Sequence, residues 1–330
     1  MHLDNHRLTS PEISNLWVHY TRETMQICVT KYMLKIIEDP EVHKIFVKAL
    51  EFSQNHVKRL RDLFIKEAFP IPKGFSDEDV NLEAPPLFTD KFCIQYIHTL
   101  SMHGAQAYSL AFSCSIRQEI RDFYYQCNID TMNLYNKSIE VLLSKKLYEK
   151  PPLYTNPDDV QFINKFQYIT DVLGKPRALN SIECGNIFFN LQKSMVAKGT
   201  FIAFQQVGND KEVNQVLQKC INAANKHIGK FSNLLLNEDL HSPRSLESEI
   251  TNSKIAPFSD KLMLFHSGFL VAVAVSYYGT AAVACLRADI AMGCEKAIME
   301  DLMLLASFSK TMIKKKWMEQ PPESNDRKTL

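Results

Sequence analysis

The sequence predicts an all-α protein built from two tandem four-helix bundles. Three observations carry that expectation. Glycine is scarce, with 10 in 330 residues, and long stretches run between helix breakers, which disfavours a fold of many tight turns. The chain repeats itself at a shift of about 170 residues. Each copy also carries two short connections around one long one.

The repeat is read position by position. LTSPEI, starting at Leu8, faces LNSIEC, starting at Leu179; His56 faces His227; Pro72 faces Pro243. With one residue deleted from the second copy, FTDKF at Phe88 faces FSDKL at Phe258. Tyr108 then faces Tyr278, Arg117 faces Arg287, and Pro151-Pro152 faces Pro321-Pro322. The expected layout is a first bundle over 1–152, a linker over 153–176, a second bundle over 177–322 and a disordered tail over 323–330.

Within each copy the elements follow in order. A first helix over 10–37 ends before Asp39-Pro40, which offers an N-cap and a proline at the first position of the next helix; Asp210 takes the capping role in the second copy. The second helix runs to about residue 69, with Val42, Ile45, Ala49, Phe52, Leu60 and Leu63 along one face. PIPKGFSDEDVNLEAPPLFTD follows, about 20 residues without helical periodicity, long enough to carry the chain along the whole bundle. Asp90 and Asp260 are the expected caps of the third helices, which end near Arg117 and Arg287. The fourth helices reach to about residues 150 and 318. One long crossover between helices two and three is the ferritin-like arrangement.

Residues 262–286, LMLFHSGFLVAVAVSYYGTAAVACL, contain no Asp, Glu, Lys or Arg, and roughly 20 apolar residues suffice to span a bilayer. The first-copy counterpart carries Gln95, His98, His103 and Gln106 around the helix, which lipid tolerates poorly. A soluble bundle explains both copies, so no transmembrane span is expected; residues 269–275 are the candidate for peripheral membrane contact. A helix apolar on all faces must still be covered on all faces, and the expected cover is the third helix of the other copy or a second chain.

Thirty-eight basic against 37 acidic residues give a net charge of +1, so no global field attracts nucleic acid. Lys314, Lys315 and Lys316 suit a helix C-terminus. The N-terminus lacks the pattern of a secretory signal, so the protein is expected in the cytoplasm and not secreted. Eight cysteines form no CxxC pair and read as buried thiols.

Ferritin-like metal sites use Glu-x-x-His on two helices, and neither copy has one. His56 and His227 form a matched core polar pair, each in phase with its helix's apolar stripe, with a hydrogen bond to Tyr108 or Tyr278 as the structural role. The alternative is a metal site in the first copy alone, His19, Glu23, His56 and His103 holding iron, manganese or zinc. Asn190, Ser194 and Val273 replace three of these in the second copy. No residue is singled out as catalytic, and no organic cofactor is expected.

With the duplicated plan, LTSPEISNLW, the FTDKF and FSDKLM segments and the Pro-Pro ends, the chain resembles the domain of unknown function numbered 3231, a family of spore-forming bacilli. That resemblance implies a ferritin-like fold, distantly similar to spore coat F type proteins, and a place in the mother cell or forespore. It transfers no catalytic residues. The expectation is a non-enzymatic structural or interaction protein that self-associates or binds other spore proteins; a metal-binding redox protein is the alternative.

Overall fold

A computed structural model of the chain describes residues 7–170 and 177–323. Nine α-helices are present among them. The first repeat contains α1 (Ser10–Ile36), α2 (Pro40–Lys66), α3 (Asp90–Ser113) and α4 (Gln118–Ser144). A short α5 (Gln167–Thr170) precedes the second repeat, which contains α6 (Ser181–Val207), α7 (Lys211–Leu236), α8 (Asp260–Ala284) and α9 (Ala288–Lys314). The end of the expected linker, residues 171–176, and all of the expected tail after residue 323 lie outside the described residues.

Polar contacts fix the helix directions. The start of α1 meets the α3–α4 corner, where Glu12 accepts the N–H groups of Ile116 at 3.0 Å and Arg117 at 2.9 Å. Lys145, just past α4, pairs with Asp39 and Glu41 at the start of α2, both at 2.7 Å. Asp90, at the start of α3, accepts the N–H of Asp39 at 2.6 Å. Helices α2 and α3 therefore begin at the same end of the bundle and run parallel, which the long connection between them makes possible. The second repeat copies the pattern: Glu183 accepts the Arg287 N–H at 2.9 Å, and Asp260 accepts the Asn209 N–H at 3.1 Å.

The caps differ from expectation in one respect. Thr89 and Ser259, not Asp90 and Asp260, cap α3 and α8, accepting the N–H groups of Phe92 at 3.3 Å and Leu262 at 3.1 Å. The aspartates stand one residue further on, and their carboxylates tie down the preceding helix corner. Several helices also stop earlier than expected. Ala68, Lys146, Asp239 and Lys316 adopt positive φ of 51° to 58°, and the next residue closes the end: Leu147 N–H to Leu142 O, for example, at 2.8 Å. This left-handed stop usually calls on glycine, and none of the four positions carries one.

The two crossover segments bind each other. Asn81 donates to Pro257 O at 2.8 Å and Thr251 to Leu87 O at 3.0 Å; Ser259 donates to Asp79 O and Thr89 to Glu249 O, each at 3.0 Å. These bonds are related by an internal two-fold axis, as are the antiparallel bridges Val80 to Phe258 and Phe88 to Ile250. The cap hydroxyls join the same seam, Thr89 donating to Glu249 at 2.7 Å and Ser259 to Asp79 at 2.6 Å. Beneath it one apolar core runs through both repeats, with Tyr32, Phe46, Phe92, Phe204 and Phe258 among its members. Phe92 reaches the second repeat because position 199 is glycine: a Cβ there would stand 2.6 Å from its ring.

Among the described residues, α8 is the one helix long and apolar enough to cross a membrane, and half of its most apolar stretch is buried. The first repeat covers its N-terminal half. Phe75 packs at a tilt against Phe265 with 5.1 Å between centroids, His103 of α3 meets Phe269 at 6.2 Å, and Tyr96 of α3 is hydrogen-bonded to His266 at 3.1 Å. Toward its C-terminus the outer side opens to solvent, with Val283 88% exposed.

Glu12 and Glu183 are fully buried. Burial alone would raise their pKa values, but hydrogen bonds from backbone N–H groups, and for Glu183 also from Arg177, hold both below 4.5. Stability from these groups is complete above the ordinary carboxylate value and is lost as pH falls through the lower folded values. Replacing Glu12 by Ala strands the N–H groups of Thr9, Ile116 and Arg117. The expected cost is about 3 kcal/mol in urea unfolding at neutral pH, with the gap to wild type shrinking in acid.

Candidate functional site

Each repeat buries a polar centre midway along its helices. In the first, His56 of α2 stands between two carboxylates: Nδ1 is 3.1 Å from Glu23 Oε1 of α1, and Nε2 is 3.1 Å from Asp130 Oδ2 of α4. Tyr108 of α3 donates its hydroxyl to the same Glu23 oxygen. All four helices thus contribute one side chain. Burial alone would lower the His56 pKa, yet the Glu23 charge and hydrogen bonds to Asp130, Cys127 and Glu23 raise it well above 6.5. Burial likewise opposes the Glu23 charge, and the His56 cation and its hydrogen bond overcome this to lower the Glu23 pKa. The centre is a carboxylate–imidazolium–carboxylate array.

The expected metal ligands divide in two. His19, Glu23, His56 and His103 all line one cavity of about 100 Å³, but only Glu23 and His56 touch. His19 Nδ1 is paired with the Tyr124 hydroxyl at 3.2 Å, and His103 Nδ1 with the Tyr277 hydroxyl of the other repeat at 3.0 Å. Burial drives the pKa of both to about 3, so both are neutral. Among the described residues, no three His, Cys, Asp or Glu side chains converge in a metal-holding geometry. All eight cysteines are free thiols, and seven are buried.

The second repeat solves the same problem differently. His227 Nε2 lies 3.1 Å from Glu300, the counterpart of Asp130, and Nδ1 lies 3.9 Å from Asp301. Ser194 stands where Glu23 would be, and Asp301 stands where the first repeat has Thr131. One carboxylate has therefore moved from the first helix of the bundle to the fourth. Lys193, the counterpart of Arg22, is buried with its ammonium 4.2 Å over the Tyr278 ring and no hydrogen-bond partner. Burial pushes the Lys193 pKa down and the Asp301 pKa up. Burial is also the largest influence on His227, and here it wins: its pKa falls below 6.5 despite Glu300.

The expected tyrosine partners of the two histidines give way to carboxylates. Tyr108 and Tyr278 instead stand edge-on to them, with ring centroids 5.8 and 5.6 Å away. Asp130 and Glu300 were missed as partners because a search for Glu-x-x-His passes over them, although they occupy matched places in the repeat. Arg287 and Asp289 shape the α8–α9 turn, paired at 2.8 Å.

Two histidines in matched positions should therefore titrate on opposite sides of 6.5. In nuclear magnetic resonance spectra of the imidazole nitrogens at pH 7.5, His56 should be protonated and His227 neutral. Stability from His56 is complete below the ordinary value and fades as pH rises through its raised folded value. That from His227 runs the other way, present above 6.5 and lost in acid.

No curated protein matches the chain. Among solved structures, a putative spore coat protein from Bacillus halodurans aligns with 17% identity and a TM-score of 0.43, covering 46% of this chain and 98% of that one. The family model described as protein of unknown function, DUF3231, matches twice, over residues 1–160 and 167–330. Those matches divide the chain where its internal repeat does, and the chain belongs to that family.

Proposed function

We propose that the chain is a non-enzymatic structural or interaction protein of the sporulating cell that self-associates through the outer face of its second repeat. One contrast carries this reading. On α9, Met292, Met299, Leu302, Met303 and Ile313 are 46–64% exposed, spaced so that they share one side of the helix. In the first repeat the counterparts of Met299, Leu302 and Ile313 stay apolar as Ile129, Met132 and Leu143, but those of Met292, Met303 and the neighbouring Ala306 are Asp122, Asn133 and Asn136, which break the apolar face. The duplicated bundles share interior demands, so this difference belongs to the surface.

The second copy of the chain fits this face by charge. An antiparallel pairing of α9 with its copy, about an axis between Leu302 and Met303, sets Met292 opposite Ile313 and Met299 opposite Ala306. It also sets Glu295 opposite Lys310. With the exposed half of α8 beside it, the face measures about 40 by 20 Å, or about 800 Å² per partner, the size of a stable interface. The polar centres support the same reading, since their groups are mostly spent on one another.

Size-exclusion chromatography with light scattering should give a dimer at micromolar concentration. Met299→Glu with Met303→Glu should give a monomer of unchanged helicity by circular dichroism. A monomeric wild type would sink the proposal.

A second reading rests on the cavity that His19, Glu23, His56 and His103 share. An iron, manganese or zinc ion in that cavity would displace the proton on the His56 nitrogen that faces Glu23 and take both groups as ligands, with His19 and His103 turned from their tyrosines to complete the set. Elemental analysis of protein purified without chelators tests it: about one ion per chain, lost in His56→Ala and kept in His227→Ala, is the expected result. Metal-free wild type removes this reading.

A further inference from the structure

The junction between the repeats closes differently on its two sides. On one, Gln192 of the second repeat donates to Glu149 O at 2.9 Å, and the space beside it is filled from within the first repeat, where Gln95 donates to Leu147 O at 2.8 Å and His98 is bonded to Ser138 at 2.9 Å. On the other, the counterparts of His98 and Met102 are only Gly268 and Ala272. A cleft of about 370 Å³ remains there, walled by Trp17, Phe265, Phe269, Phe308 and Trp317.

Arg22 of α1 stands between this cleft and the histidine cavity of the first repeat and lines both. Its guanidinium lies 4.4 Å over the Phe269 ring, and it makes no hydrogen bond or ion pair among the described residues. The other charges at the cleft are engaged. Glu319 accepts the N–H groups of Lys73 and Gly74 at 2.6 and 2.8 Å, and Lys261 donates to Gly74 O at 2.8 Å. Burial lowers the Arg22 pKa to about 10, the mark of a cation removed from water without an anion. A guanidinium's planar fork of donors matches a carboxylate.

We propose that this cleft binds a small amphipathic carboxylate, its acid group on Arg22 and its apolar body among the aromatic rings. At roughly 30 Å³ per non-hydrogen atom the cleft takes about 12 of them, the size of a ten-carbon acid. The chain's two tryptophans, Trp17 and Trp317, both line the cleft, so intrinsic fluorescence reports its occupancy.

Decanoate and 4-phenylbutyrate, titrated into the full chain, test the proposal and tell an aliphatic from an aromatic body. At least one should give a saturable change in tryptophan emission. Decanol should bind at least tenfold more weakly than decanoate. Arg22→Met should weaken the acid at least tenfold, and Ala272→Phe, which fills the cleft, should abolish the response. No saturable change with either acid would overturn the assignment. So would equal binding of decanol, unchanged affinity in Arg22→Met, or a response that survives Ala272→Phe.

Discussion

The segment between the second and third helices of each repeat carries backbone N–H and C=O groups that no helix can satisfy, and the molecule is organised around that demand. Buried peptide groups must find partners. Here each crossover finds them in the other, through Asn81 to Pro257, Thr251 to Leu87 and their mates. A single repeat would leave these edges open and the apolar start of α8 bare. The duplication supplies that partner within one chain: the two crossovers close one seam over one shared core.

The polar centres show what freedom remains inside that frame. His56 and His227 keep their place, and each needs partners for two ring nitrogens. The first repeat supplies Glu23 and Asp130, which hold the ring charged between two anions. The second supplies Glu300 at contact distance and Asp301 further off, and burial, helped by the Lys193 cation, depresses the His227 pKa. Moving one carboxylate between helices changes the preferred charge of the imidazole without changing the fold. An internal duplicate makes that legible, because it supplies a matched control for each buried charge.

Much of the architecture was readable from the residues. Asp39-Pro40 and Asp210 cap as expected, accepting the Val42 N–H at 3.2 Å and the Val213 N–H at 3.1 Å, because capping is a local event. The register of the repeat gave the paired histidines and the crossover. What stayed hidden depends on distant contacts or on backbone conformations without a residue signature. The left-handed stops at Lys146 and Lys316 use no glycine. The partner of His56 lies 74 residues away on α4, and only the matched acids at 130 and 300 hinted at it. His103 fits a ligand set by helical phase alone, yet its ring turns across the junction to Tyr277, a contact no periodicity encodes.

The uncharged run of α8 shows how one sequence feature serves two surfaces. Its N-terminal half is apolar because the first repeat covers it with Phe75, Tyr96 and His103. Past Tyr277 the outer side of α8 has no such cover, and α9 beside it carries Met292, Met303 and Ala306 where α4 carries Asp122, Asn133 and Asn136. Were the exposed face an accident of drift, the first repeat, under the same interior constraints, would show comparable losses of polar residues at 122, 133 and 136; it keeps Asp, Asn and Asn there. An apolar face unbroken on one repeat and interrupted by polar residues on the other, with the internal two-fold already used at the seam, favours a contact that pairs like with like and closes.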